Sequence, residues 1–128
     1  MGEPVELVAI DYGSTSVIYT WNGSGWARTQ DGTPHFAAFG TQFAPPNVIV
    51  QFIDYGLSFA DIRSPEAQLL GSGEAWILTA RALVRGSWVR EVPELPTVYL
   101  APDGEPVLLE PGSTWVALPR AGTAAARS

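Results

Sequence analysis

The stretch Gly71–Glu91, GSGEAWILTARALVRGSWVRE, admits two readings, and the choice between them decides the fold. Gly71-Ser72-Gly73 could open a phosphate-binding loop. Such a loop works through a lysine and a helix N-terminus behind its glycines, and neither follows here. Read as a β-hairpin reversing at Ala80-Arg81, the same residues pair well: Leu78 with Leu83, Ile77 with Val84, Trp76 with Arg85, Ala75 with Gly86 and Gly73 with Trp88. A register one residue longer sets Ile77 against Arg85 and Glu74 against Trp88. The first register lets Trp88 cover the bare backbone of Gly73 and offers the Trp76 ring to the Arg85 guanidinium. Ala-Arg is poor chemistry for a two-residue turn with positive φ at both positions, so a four-residue loop, Thr79 to Ala82, is expected.

Outward from this hairpin the chain repeats the same grammar. Apolar runs of four to seven residues recur at VELVAI, SVIYTW, NVIVQFI, EAWILT, ALVRGSWV, TVYLA, PVLLE and STWVAL, separated by clusters drawn from 13 Gly and 11 Pro. That spacing predicts an all-β domain of short antiparallel hairpins, closed into a barrel-like or sandwiched sheet. Asn22-Gly23 and Asp103-Gly104 announce two more hairpins. A two-residue loop at Asp103-Gly104 would set Leu100 opposite Val107 and Val98 opposite Leu109. SPEAQLL, capped by Ser64 with Pro65 behind it, reads as a short helical turn or another strand. The expected division is an extension over 1–4, one β domain over 5–119, and a flexible tail over 120–128, whose RAGTAAARS lacks a large apolar anchor.

Composition narrows the function classes. The 128 residues carry 13 acids and 7 bases, net charge -6, with the bases scattered singly, so there is no electrostatic footprint for nucleic acid. The absence of Cys removes thiolate chemistry and disulfides. No run approaches the ~20 apolar residues of a membrane-spanning helix, and MGEPVELVAI lacks the basic start and apolar core of a signal peptide.

Catalytic signals are sparse. The single histidine, His35 in DGTPHFAAFG, has no G-x-S-x-G elbow to serve, and Asp31, Asp54 and Asp61 stand at no recognisable metal-ligand spacing. A carboxylate pair drawn from Asp54, Asp61 or Glu74 is one of many that 13 acids allow. No cofactor or metal is expected. The five Trp residues could fill a small β core or form a stacking platform, with Trp76 and Trp26 the ones expected to show a face to solvent beside Arg85 and Arg28.

The ordered series IYTWNGSGWARTQDGTPH, NVIVQF, GSGEAWIL, RGSWVRE and YLAPDGEPVLLEPGSTWVALP resembles the C-terminal domain of the YerB-like family of bacterial lipoproteins, from about Val5 to Pro119. The resemblance implies an extracytoplasmic domain, tied to the membrane through a region outside this chain, in a family without an established activity. By position it carries over Arg28, His35, Asn47, Gly71, Gly73, Trp88, Arg90, Gly112, Thr114 and Trp115. The chain departs from the family at Ala80-Arg81, where an Asp-Gly-like turn is usual, and at Phe36-Ala37-Ala38, where an acid often follows the histidine.

The function expected on these grounds is a non-enzymatic binding module of the cell envelope, contacting cell-wall glycan or an envelope protein through Arg28, His35, Trp76, Arg85, Trp88 and Arg90. Two alternatives stand beside it: a hydrolase using His35 with Asp31 or Asp54, and a purely structural domain supporting an N-terminal one.

Overall fold

The computed structural model describes residues 2–36, 40–57, 65–67 and 69–128. In chain order the strands are β1 (Glu3–Pro4), β2 (Leu7–Asp11), β3 (Ser16–Trp21), β4 (Trp26–Gln30) and β5 (Thr33–Pro34). Next come β6 (Asn47–Gln51), β7 (Tyr55–Leu57), β8 (Pro65–Ala67), β9 (Gly71–Thr79) and β10 (Ala82–Arg90). The last three are β11 (Val98–Leu100), β12 (Thr114–Ala117) and β13 (Ala124–Arg127). Among the described residues there is no helix; Pro65–Ala67 is a strand paired with β7, and Ser64 lies outside the described residues.

Two sheets make a sandwich rather than a closed barrel. One runs β1-β10-β9-β6-β12, with β11 also on β10; the other runs β13-β2-β3-β4-β5. Alternation decides which side chains meet. Val48, Val50, Trp76 and Leu78 of the first sheet pack on Val8, Ile10, Val17, Tyr19 and Trp26 of the second. Their neighbours Ile49, Ala75 and Ile77 point to the opposite face of the first sheet, where Trp88, Tyr99 and Val107 cover them. With both faces covered, β6 reads NVIVQ and is buried at all five positions.

The β9–β10 register is the expected one at every predicted pair: Leu78↔Leu83, Ile77↔Val84, Trp76↔Arg85, Ala75↔Gly86 and Gly73↔Trp88. The turn is not. Thr79 pairs with Ala82, and Ala80 and Arg81 adopt φ of 48° and 61°, a two-residue turn of the twist that strands favour. Strand twist overrides the local cost, and the turn is tied down by an Arg81–Glu6 ion pair and by Val5 N–H donating to the Arg81 carbonyl at 3.3 Å.

Three further expectations are corrected. Leu100 bridges Pro106, not Val107, because the loop has three residues: Pro102 and Asp103 form a turn and Gly104, φ 86°, follows in the left-handed region. The tail is not free, since Ala124–Arg127 pairs antiparallel with Leu7–Ile10 and supplies the edge of the second sheet. Small side chains suffice there because the ladder, rather than an anchor, holds the strand. At the other end Glu3–Pro4 is likewise paired, with Ala82–Leu83. A further hairpin joins β4 to β5 through Asp31-Gly32, φ 50° and 81°.

Candidate functional site

The edge of β4 that faces away from β3 builds the site. After the Asp31-Gly32 turn the chain doubles back, and His35 N–H donates to the Arg28 carbonyl at 2.9 Å. It then returns along the same edge, with Phe43 accepting from Arg28 N–H at 3.0 Å and Pro45 from Trp26 N–H at 2.8 Å. His35 and Phe43 therefore flank Arg28. From the facing sheet β12, the parallel neighbour of β6, brings Trp115.

Arg28 is the centre of the cluster. Its NH1 lies 3.1 Å from His35 Nδ1 and donates to Gln30 Oε1 at 3.2 Å, while its Cζ stands 5.4 Å from the Trp115 ring centroid. Phe43 closes the aromatic cage, 4.9 Å from Trp115 and 5.1 Å from His35. Tyr19 lies fully buried beneath, next to Arg28 and Trp115. Burial pushes the Tyr19 pKa up from 10.0, and the neighbouring Arg28 charge pulls against it.

Two electrostatic facts stand out. Among the described residues no carboxylate pairs with Arg28, and its Nε is buried without a hydrogen-bond partner. A partly buried cation without a counter-charge is a costly arrangement that an arriving anion relieves. Because a guanidinium only donates, His35 Nδ1 is the acceptor of that contact, and in the neutral ring the proton sits on Nε2. A cleft of about 560 Å³ opens beside them, lined by Arg28, Gln30, Asp31, Thr33, Pro34 and His35.

Asp31 lines the same cleft, but its oxygens are engaged elsewhere: Oδ1 accepts from Ser16 N–H at 2.8 Å and Oδ2 from the Thr15 hydroxyl. Those bonds, Thr15 first, hold its carboxyl below the usual range. Asp54 is exposed beyond β6 and does not line the cleft, and Asp61 lies outside the described residues. Glu74 accepts from Trp76 Nε1 at 3.1 Å. Among the described residues no three His, Asp or Glu side chains gather as metal ligands.

The remaining candidates are dispersed by the fold. Trp76 and Arg85 do stack, 4.4 Å from Cζ to ring centroid, but on the other sheet, with Arg85 also paired to Glu3 at 2.6 Å. Trp88 is turned inward, 2% exposed, its Nε1 donating to the Phe52 carbonyl at 2.8 Å, so it is a packing residue and not a ligand contact. Arg90 spends its donors on its own loop, binding the carbonyls of Leu95 at 2.9 Å and Pro93 at 2.7 Å. Nor do Trp26 and Trp76 show a face to solvent: they are 0% and 7% exposed, whereas Trp21 and Trp115 are the half-buried ones. Alternation explains it, since Trp26 and Trp76 sit at inward positions of central strands.

Tyr19, Gln30 and Phe43 carried no sequence signal for this site. Gln30 alone could have been anticipated, two positions from Arg28 on the same face of β4.

No curated protein matches the chain. In the solved structure of YerB protein from Bacillus subtilis a similar fold occurs, with a TM-score of 0.84 at 18% identity; the match covers 100% of this chain and 46% of that one. The chain thus spans less than half the length of that protein. Residues 8–116 match the family profile described as the C-terminal domain of a protein of unknown function, DUF3048. This chain belongs to the DUF3048 C-terminal domain family.

Proposed function

We propose that the domain is a non-enzymatic binding module of the bacterial cell envelope, and that the Arg28–His35 cleft contacts an acidic group of cell-wall glycan. The observation that carries the reading is Arg28: a guanidinium held against Trp115 and His35, on a chain of net charge -6, with no carboxylate of its own among the described residues. Carboxylates bind guanidinium through charge-assisted hydrogen bonds, and the cage holds the fork in place before the ligand arrives. The envelope setting is supported by the likeness to YerB-like proteins.

A binding role also suits His35 better than a hydrolytic one. A catalytic histidine needs one ring nitrogen on an orienting acid, and here Nδ1 faces Arg28 instead. Its Nε2–H is left as a second donor for the same anionic group.

Titration with peptidoglycan fragments bearing a free carboxylate, followed by tryptophan fluorescence, tests the reading. Arg28→Ala is expected to weaken binding by about tenfold to a hundredfold, the worth of one charged hydrogen bond. Absence of binding at millimolar concentrations overturns the glycan reading, and cleavage of the fragments, seen by mass spectrometry, overturns the non-enzymatic one.

A further inference from the structure

A second cleft, of about 420 Å³, lies where three turns meet at one end of the sandwich. Trp21, Pro46 and Pro111 give it apolar walls, and Ser24 and Glu110 place a hydroxyl and an exposed carboxylate at it. We propose that this cleft binds an uncharged pyranose ring, stacked on Trp21 with its hydroxyl groups on Glu110 and Ser24.

Both walls are fixed in advance. On one side Asn22 Oδ1 accepts from the backbone N–H of Ser24 at 3.0 Å and of Gly25 at 2.9 Å, which sets the β3–β4 loop. On the other, the buried Asn47 side chain holds the segment carrying Glu110: it donates to the carbonyls of Glu110 at 2.9 Å and Ser113 at 3.3 Å and accepts from Glu110 N–H at 3.0 Å. Gly112 is bare where a Cβ would stand 2.8 Å from Pro46 Cγ, so the 110–113 turn packs directly on Pro46 at the floor of the cleft. Rigid walls reduce the ordering cost that limits weak ligands.

Trp21 is presented rather than filled in. It is half-buried, propped against Trp26 with ring centroids 5.3 Å apart at 58°. Gly23 beside it has φ 104°, and a Cβ there would meet open space, so no side chain lies over the rim. An aromatic face flanked by acceptors suits a ring with an apolar C–H face and hydroxyls at its edge. A proline-rich peptide would use the aromatic face and leave the Glu110 carboxylate without donors to bind. The proposal extends the glycan reading to another cleft without needing the acidic group at Arg28, and an uncharged probe separates the two.

The test is titration of the isotope-labelled domain with a neutral β-linked N-acetylglucosamine oligomer, followed by amide and indole NMR shifts. Millimolar binding is expected, with shifts at the Trp21 indole and the 22–25 and 110–113 turns, unchanged in Arg28→Ala. Trp21→Ala should weaken binding about tenfold. Since Trp21 also packs on Trp26, Glu110→Ala, at an exposed side chain, serves as the second variant and should weaken it several-fold. Lack of shifts, shifts confined to the Arg28–His35 cleft, insensitivity to both variants, or equal shifts with a proline-rich peptide would each overturn the proposal.

Discussion

Trp88 lies across Gly73. A Cβ on Gly73 would stand 2.6 Å from Trp88 Nε1 and 3.1 Å from the Phe52 carbonyl oxygen that this Nε1 binds. Cross-strand covering of a glycine by an aromatic ring thus does two things here: it fills the second face of the first sheet and satisfies a backbone carbonyl just past β6. Gly73→Ala is expected to destabilise the domain by about 1–3 kcal/mol, the usual range for overpacking, measured by urea denaturation. An unchanged midpoint would show that Trp88 moves aside freely.

The Ala80-Arg81 turn holds two non-glycine residues at positive φ, each costing roughly 1 kcal/mol. Ala80→Asn keeps the turn geometry with a residue that tolerates it. A gain of about 0.5–1 kcal/mol is the expected outcome, read as a higher denaturation midpoint with the slope unchanged. Loss of stability would show that the strain is relieved some other way.

Asn47 is fully buried with both ends of its amide occupied; beyond the bonds to Glu110 and Ser113, its Oδ1 accepts from the Thr79 hydroxyl at 2.7 Å. Removing it strands several backbone groups at once. Asn47→Leu should cost about 3 kcal/mol or more, and hydrogen exchange should accelerate first in the 110–113 turn. Exchange that rises evenly across the domain would argue against a local clamp.

Titration shifts set expectations at both ends of the pH scale. Tyr19 and Tyr99 are both raised above 10.0, chiefly by burial, so the unfolded chain loses those protons first. Their contribution to stability is therefore complete below about pH 10 and is lost as pH rises through the folded values. Asp31 shifts the opposite way: its folded value is lowered, so its contribution is present above about pH 4 and is lost as pH falls through the folded value. In chemical denaturation across pH, Tyr99→Phe should move the alkaline limb upward and Asp31→Asn should flatten the acid limb. Limbs that coincide with the parent's would remove these assignments.

How much of this was legible in the sequence follows from the range of each interaction. The β9–β10 register was legible because Gly73, Trp76, Arg85 and Trp88 are neighbours whose pairings fail together on slipping. The turn inside that hairpin was misread, since strand twist outweighed the preference of Ala and Arg for negative φ. β13 was invisible: AAAR has neither branched nor aromatic residues, and only the open edge of β2 makes it a strand. For the site, Arg28 and His35 stood together through the family resemblance, while Trp115, 80 positions past His35, arrives by a parallel pairing no local pattern encodes. Asp31-Gly32 was a readable turn signal that went unused.

The parallel pairing of β6 with β12 also dictates the order in which the domain can be finished. Residues 47–51 emerge early, pair with 75–79, and wait for residues 114–117 to take their other side. Until then the half-built sheet offers an unsealed, β-branched edge of the kind that recruits a second copy. Completion by so distant a partner also places the domain among slow folders. A chain cut short of residue 114 would keep nearly every strand and still lack its seal, and its expected fate is self-association rather than simple unfolding.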